Sequence, residues 1–328
     1  MVQRTTFLLA IAALGWVGCS VSGGRSEIAA GTVSIPTLTV DVASFLRGAS
    51  VGKEYVISGE LTLPEGAAGR VPAVVLMHGG SGVLDYQHVW ARHLRTIGYA
   101  TLVVDSFSGR GILRVTDDLE ALSAASRTID AYRALAVLAA HPRIDRERIA
   151  FMGFSHGATA GLYAIRDRFE KAFGPPDARY AGWILFYPYC NTRLRDEVPV
   201  TSAPIRVFHG SLDDWTPIAP CREYVERVRA SGGAIELREY PFAYHGFDNP
   251  RAPAQVRLER AMNPARCVFV EQSDGVVLNG ETGRPYTYRD ACWTRGVTAG
   301  YEPGAYADAL AAVKAFLGAL PRAPSGPR

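Results

Sequence analysis

Between residues 53 and 240 the chain repeatedly gathers apolar residues into short unbroken runs. They read VPAVVLM at 71–77, YATLVVD at 99–105, RIAFMG at 148–153, GWILFY at 182–187 and IRVFH at 205–209, with AIELREY following at 234–240. A strand without alternation has no face to offer water, so a sheet of such strands must be covered on both sides. The stretches between them carry helical spacing. In 86–96 and just beyond it, Val89, Trp90, His93, Leu94 and Ile97 share one face; in 127–140, Ile129, Tyr132, Ala136, Leu138 and Ala139 do. Further helices are expected at 157–169, 222–230 and 305–320. Strand and helix in alternation predict an α/β fold: a mostly parallel, doubly wound sheet with helices on both faces. The segment 54–63, EYVISGELTL, alternates and stops at Pro64, as an early antiparallel strand would. Residues 251–304, rich in Pro, Arg and Tyr with weak periodicity, read as an irregular insertion before the last helix. The expected domain is a single unit over 51–320; at 48% hydrophobic, the 328 residues can supply its core.

An open parallel sheet keeps its active site at the carboxyl ends of its strands. After RIAFMG comes FS155HG, that is Ser155 followed by His156 and Gly157; after IRVFH come Ser211, Leu212, Asp213 and Asp214; after AIELREY comes His245; after VPAVVLM come His78, Gly79 and Gly80. A serine hydroxyl is a poor nucleophile until an imidazole accepts its proton. The imidazole in turn needs a carboxylate on its far nitrogen to fix the tautomer and stabilise the imidazolium. The oxyanion needs two donors, for which the backbone N–H groups of His156 and Gly80 are placed. Gly153 and Gly157 permit a tight strand-to-helix elbow. The chain order Ser155, Asp213, His245 is that of α/β-hydrolases.

From about residue 56 to 247 the sequence resembles the dienelactone hydrolase family. The carriers are VVLMHGGSG (74–82), VDSFSGRG (104–111), GFSHG (153–157), HGSLDDWTP (209–217) and YPFAYHGFD (240–248). The resemblance implies a nucleophile at Ser155, an acid at Asp213, a base at His245 and oxyanion donors at Gly80 and His156. The family's namesake carries Cys at the nucleophile position where this chain has Ser, which points to a more ordinary hydrolase of carboxylic esters acting through an acyl-enzyme. The implied partner is a small-molecule ester, with no metal and no organic cofactor. A peptidase or acyltransferase on the same three residues, and a non-catalytic envelope binding protein, are the alternatives. A net charge of +3 without a basic run argues against nucleic acid as a partner.

Other residues near the strand ends are weighed individually. Asp214 competes with Asp213 and is read as its capping or salt-bridged neighbour. His78 and His209 are read as braces, Asp105 as a structural partner. Arg110 is a candidate contact for a carboxylate-bearing substrate, with a loop-bracing ion pair as the other reading. Trp215, Tyr187 and Tyr189 are candidate pocket walls. His88 and His93, on a predicted helix, receive no role.

Residues 1–19 have one Arg, an apolar run and then small residues, the pattern of a secretory leader. Residues 16–19, WVGC, resemble a bacterial lipobox with Trp16 in place of the usual Leu, which would make Cys19 a lipidated N-terminus and the only membrane link; an ordinary cleaved leader or an uncleaved anchor are the other readings. Residues 20–50 are expected to be a tether and N-terminal segment. Export to a periplasmic or outer-membrane location places the remaining four cysteines in an oxidising compartment. Of three possible pairings, Cys190–Cys221 and Cys267–Cys292 are favoured because each closes a modest loop; no Cys-x-x-Cys supports metal binding.

Overall fold

The structure, a computed structural model, describes Met1 and residues 31–323. The leader, Cys19 and the first part of the expected tether lie outside the described residues. In chain order the elements are β1 (Gly31–Thr39), α1 (Val42–Leu46), β2 (Lys53–Thr62), β3 (Val71–Met77), α2 (Asp85–Arg95), β4 (Ala100–Asp105), α3 (Ala124–Ala140), β5 (Ile144–Phe154), α4 (His156–Ala164), α5 (Asp167–Phe173), β6 (Gly182–Phe186), β7 (Thr192–Arg193), β8 (Ile205–Gly210), α6 (Ile218–Ala230), β9 (Ile235–Tyr240), β10 (Val256–Asn263), β11 (Phe269–Glu271), β12 (Val277–Asn279), β13 (Thr294–Ala299) and α7 (Pro303–Gly318). Eight strands form one sheet in the order β1-β2-β4-β3-β5-β6-β8-β9. The β1–β2 and β2–β4 pairs are antiparallel and the rest parallel.

The apolar runs split their side chains between two cores. On one face Ala73, Val75, Ile149, Phe151, Leu185 and Val207 pack with residues of α3, α4 and α6. On the other, Val74, Leu76, Met152, Ile184 and Phe186 pack with Trp90 and Leu94 of α2 and with Ala309, Val313 and Leu317 of α7. Strands covered this way need no polar face, which accounts for the unbroken runs.

Three expectations are corrected. First, the sheet starts before residue 51. β1 pairs along its whole length with β2, from Gly31 opposite Leu61 to Thr39 opposite Lys53. Val33, Ile35 and Thr37 are buried while Thr32, Ser34 and Pro36 are exposed. Pro36 is tolerated because an edge strand has a backbone side with no partner to lose. Second, the helix expected over 157–169 is two helices, broken around Arg166, whose buried side chain donates to the Leu162 carbonyl. Third, the insertion at 251–304 is not irregular. β10 and β13 form an antiparallel pair, and β11 pairs with β12 and, in parallel, with the short β7. β11 and β12, of three residues each, are too short to show a period, and a register shift between Leu258 and Met262 interrupts that of β10.

Cys190 is bonded to Cys221, tying the loop after β6 to α6, and Cys267 to Cys292, tying the approaches to β11 and β13. Among the described residues no helix is long and apolar enough to cross a membrane.

If β1 is part of the core, Ile35→Ala should lower unfolding free energy by about 2–4 kcal/mol. Urea titration measures this; a loss under about 0.5 kcal/mol would mean that β1 is a dispensable edge.

Candidate active site

Ser155 lies where β5 turns into α4. Its backbone is at φ 51° and ψ −117°, a conformation that a residue with a side chain rarely takes. Its N–H donates to Phe186 O at 2.9 Å, and its carbonyl accepts from Thr159 N at 2.8 Å. Gly157 makes the turn possible: a Cβ there would stand 2.4 Å from Met77 O and 2.5 Å from His78 O. The helix can therefore pass directly over the end of β3 only without a side chain at this point.

The loops after β8 and β9 bring the other two groups to the serine. They touch at Gly210, where a Cβ would meet Ala243 O at 2.2 Å. His245 Nε2 is 2.8 Å from Ser155 Oγ, and His245 Nδ1 is 2.7 Å from Asp213 Oδ2. The imidazole is buried, with the Tyr187 ring 4.5 Å and the Trp215 ring 4.8 Å away. Asp213 Oδ1 accepts the N–H groups of Trp215 (2.9 Å) and Thr216 (2.8 Å), and Oδ2 accepts the Thr216 hydroxyl at 2.9 Å. Burial alone would raise this carboxyl's pKa; the charge and hydrogen bond of His245, then His209 and the Thr216 N–H, outweigh it and hold the pKa below the usual value. The acid is thus ionised with its lone pairs directed by the backbone.

Beneath the serine lies a polar cluster whose arginine, Arg127, sequence reasoning did not anticipate. Arg127, on α3 and fully buried, donates to His78 O at 2.6 Å and approaches His156 Nδ1 at 3.2 Å. It therefore spans the turn that carries Gly79 and Gly80 and the residue after the serine. Burial pulls its pKa down to about 9, partly offset by Asp130, which still leaves it charged at neutral pH. His78 Nε2 accepts the Ser106 N–H at 3.2 Å, leaving Nδ1–H to donate to Gly79 O at 2.7 Å. With both nitrogens so used the ring is neutral. In sequence, Arg127 looked like one more polar residue on a helix.

The family profile of the dienelactone hydrolases matches residues 57–273. The chain belongs to the dienelactone hydrolase family. It is 29% identical to Esterase LipC of Mycobacterium tuberculosis (strain ATCC 25618 / H37Rv) over 187 residues, 50% of this chain and 44% of that protein. The match to a Bradyrhizobium protein named "Probable 2-oxo-3-(5-oxofuran-2-ylidene)propanoate lactonase" is 26% over 195 residues, 55% of this chain and 74% of that protein. The chain thus spans less than half the length of the mycobacterial relative. The solved dienelactone hydrolase-like promiscuous phosphotriesterase P91 from metagenomic libraries superposes with a TM-score of 0.54 at 19% identity, covering 88% of this chain and 99% of that one, a likeness of fold.

In this dienelactone hydrolase family member two expected pocket residues are engaged elsewhere. Arg110 points inward, its side chain 2% exposed. It donates to both Asp130 oxygens at 2.8 Å and to Thr39 Oγ1 at 2.7 Å, bracing β1 against α3, and has no donor to offer a substrate. Tyr187 lies behind His245, its hydroxyl 2.5 Å from Asp248 Oδ1, while Trp90 Nε1 donates to Asp248 Oδ2 at 2.8 Å. Burial raises the Asp248 pKa to about 6. Trp215 and Tyr189 do line the cavity next to Ser155, together with Gly80 and His156. Asp214 faces away from His245; it pairs with Arg257 at 3.1 Å and accepts from Thr298 N at 2.7 Å and Thr298 Oγ1 at 2.9 Å, so it clasps the insertion. Asp105 accepts from the backbone of Phe107 and Ser108, and His209 is buried with Nδ1 3.2 Å from Gly210 O, both within their own loops. Among the described residues no group of three or more His, Cys, Asp or Glu is placed to hold a metal ion.

Three histidines near the site, His78 and His209 buried and His156 half-buried, set an acid limit on stability. Burial, with the Arg127 charge, takes His78 from 6.5 down to about 3 and His156 well below 6.5; burial also lowers His209. With folded pKa values below the unfolded one, the unfolded chain binds more protons, so this stability is full above pH 6.5 and is lost as pH falls toward the folded values. For His78 alone the loss between pH 7 and 5 is about 2 kcal/mol. His78→Asn should shrink the wild-type stability difference between pH 7 and pH 5 by about that amount in paired urea titrations; an unaltered difference would mean that the ring takes up its proton equally readily in the folded and unfolded chain.

Proposed function

We propose that the chain hydrolyses carboxylic esters through an acyl-enzyme, with Ser155 as nucleophile, His245 as general base and acid, and Asp213 as the group that orients and charges the imidazole. The observation that carries this reading is the continuous line Ser155 Oγ, His245 Nε2 (2.8 Å), His245 Nδ1, Asp213 Oδ2 (2.7 Å) at the mouth of a cavity. Asp213 keeps the Nδ1–H tautomer, which leaves Nε2 free to take the serine proton as Oγ attacks the ester carbonyl. The strained backbone at Ser155 presents Oγ above the sheet edge, and the His156 N–H that begins α4 faces the oxyanion that forms. Gly80 N–H, on the turn held by Arg127 through His78 O, is the second donor. Collapse returns the proton from His245 to the departing alcohol, and water repeats the cycle on the acyl-enzyme, releasing the acid. Family membership and the esterase relative support the reaction class.

Two disulfides within the fold suit a chain that matures in an oxidising compartment, and we place it in the periplasm or at the outer membrane, held there by a lipidated Cys19.

Ser155→Ala and His245→Ala should each reduce turnover of a short activated ester by on the order of 10⁴-fold or more, and Asp213→Asn by about 10³–10⁴-fold. Asp214→Asn, removed from the imidazole, should stay within about tenfold of wild type. A fluorophosphonate probe should label wild type and not Ser155→Ala. A well-folded wild type that neither labels nor hydrolyses esters would reduce the site to a binding pocket, and a larger loss at Asp214 than at Asp213 would move the acid.

A further inference from the structure

The insertion that follows His245 builds a wall of the cavity in front of Ser155. Phe269, Val277, Tyr286, Tyr288 and Trp293 come from it, and Trp215 joins them from the acid loop. The rings form a connected surface: Phe269 to Tyr286 at 4.9 Å, Tyr288 to Trp293 at 5.1 Å and Phe269 to Trp293 at 5.8 Å between centroids. Facing them are Val42 and Leu46 of α1, Leu119 and Leu194.

Two properties of this wall restrict what enters. No Asp, Glu, Lys or Arg is among the described residues lining the cavity. Four polar atoms of its aromatic side chains already have acceptors: Trp215 Nε1 donates to Met262 O, Trp293 Nε1 to Thr287 O, Tyr189 OH to Cys267 O and Tyr288 OH to Leu119 O, while the hydroxyls of Tyr163 and Tyr286 are engaged with Thr192 and Tyr288. The guanidinium of Arg127 is held against His156 Nδ1 and His78 O, and Arg110 is closed off by Asp130. A charged group entering here would lose water and gain no partner of opposite charge. An apolar group would shed its hydration against rings that need nothing from it. The cavity volume, about 140 Å³, is close to the roughly 150 Å³ of an apolar engineered cavity that holds benzene.

We propose that this cavity receives an uncharged, apolar arm of about one ring, so that the substrates are neutral aryl-bearing or compactly branched esters and carboxylate-bearing esters are excluded. The inference rests on the ester-hydrolase reading and adds to it the chemistry of the group beside the scissile bond. The Cys267–Cys292 bond fixes the wall by joining the two stretches that carry Phe269 and Trp293.

The test compares kcat/KM of the oxidised protein for ethyl acetate, for the isomers benzyl acetate and methyl phenylacetate, and for each isomer with a para-carboxylate or a para-carboxamide on the ring. At least one isomer should exceed ethyl acetate by about tenfold or more, and which one it is assigns the cavity to the alcohol or the acyl side. The carboxylate should cost that isomer at least about 100-fold and the carboxamide far less. Tyr288→Ala should lower the ratio of the favoured isomer to ethyl acetate by at least about fivefold. Turnover of ethyl acetate with no gain from the ring, or with the carboxylate tolerated, would overturn the inference and leave the esterase reading standing. If no ester is turned over, titration of the Trp215 and Trp293 fluorescence with benzyl alcohol and with benzoate separates the two: saturable binding of the alcohol alone keeps the apolar cavity and removes the reaction, whereas no saturable binding removes both.

Discussion

The site depends on one close backbone contact. α4 crosses the end of β3 so tightly that Gly157 has room for a hydrogen and nothing larger. That crossing forces Ser155 into its unusual φ and ψ and sets the first helical N–H groups beside its hydroxyl. Strain at one residue persists because the neighbours leave no alternative: β5 is buried between β3 and β6, and Ser155 N is held by Phe186 O. The sheet can hold such a residue because both of its faces are closed, by α3, α4 and α6 on one side and α2 and α7 on the other.

Around this fixed point the electrostatics are arranged in layers. Asp213 keeps its charge inside the protein because backbone N–H groups, Thr216 and His245 replace the water it has lost. Arg127 keeps its charge by sitting over the His78 carbonyl with Asp130 nearby, and the neutral state of His78 follows from the backbone partners of both its nitrogens. Buried charge is tolerated where its partners are supplied by rigid backbone. The insertion is tied into the same frame: Asp214 clasps Arg257 and Thr298, and Gly300 N donates to His245 O. The loops that carry the acid and the imidazole are therefore tied to β10 and to β13 and the residue just after it, which flank the segment bearing the wall.

Much of this was legible in the sequence, for a physical reason in each case. Unbroken apolar runs at 71–77 and 205–209 reveal double burial, and both correspond closely to strands. Residues placed just after such runs must emerge at the same rim, so Ser155, Asp213 and His245 could be grouped without coordinates. β1 was missed because one exposed face and Pro36 make it look like a linker, although Val33, Ile35 and Thr37 alternate inward. The strands of the insertion were missed because β11 and β12 each have three residues, too few for a period, and a register shift between Leu258 and Met262 interrupts the alternation of β10. Arg110 was left between a substrate contact and a loop-bracing ion pair because a guanidinium in a loop near the site looks available, and its partners Asp130 and Thr39 come from elements that sequence alone does not bring to it.

The sequence by itself determined the layered α/β architecture and the set of side chains that a sheet edge would collect, since burial and strand order are written in local patterns. Tertiary structure alone decided where Arg127 sits and that the insertion presents aromatic rings to Ser155. Those outcomes depend on distances between segments far apart in the chain, fixed only when the backbones pack and the side chains compete for the same few partners.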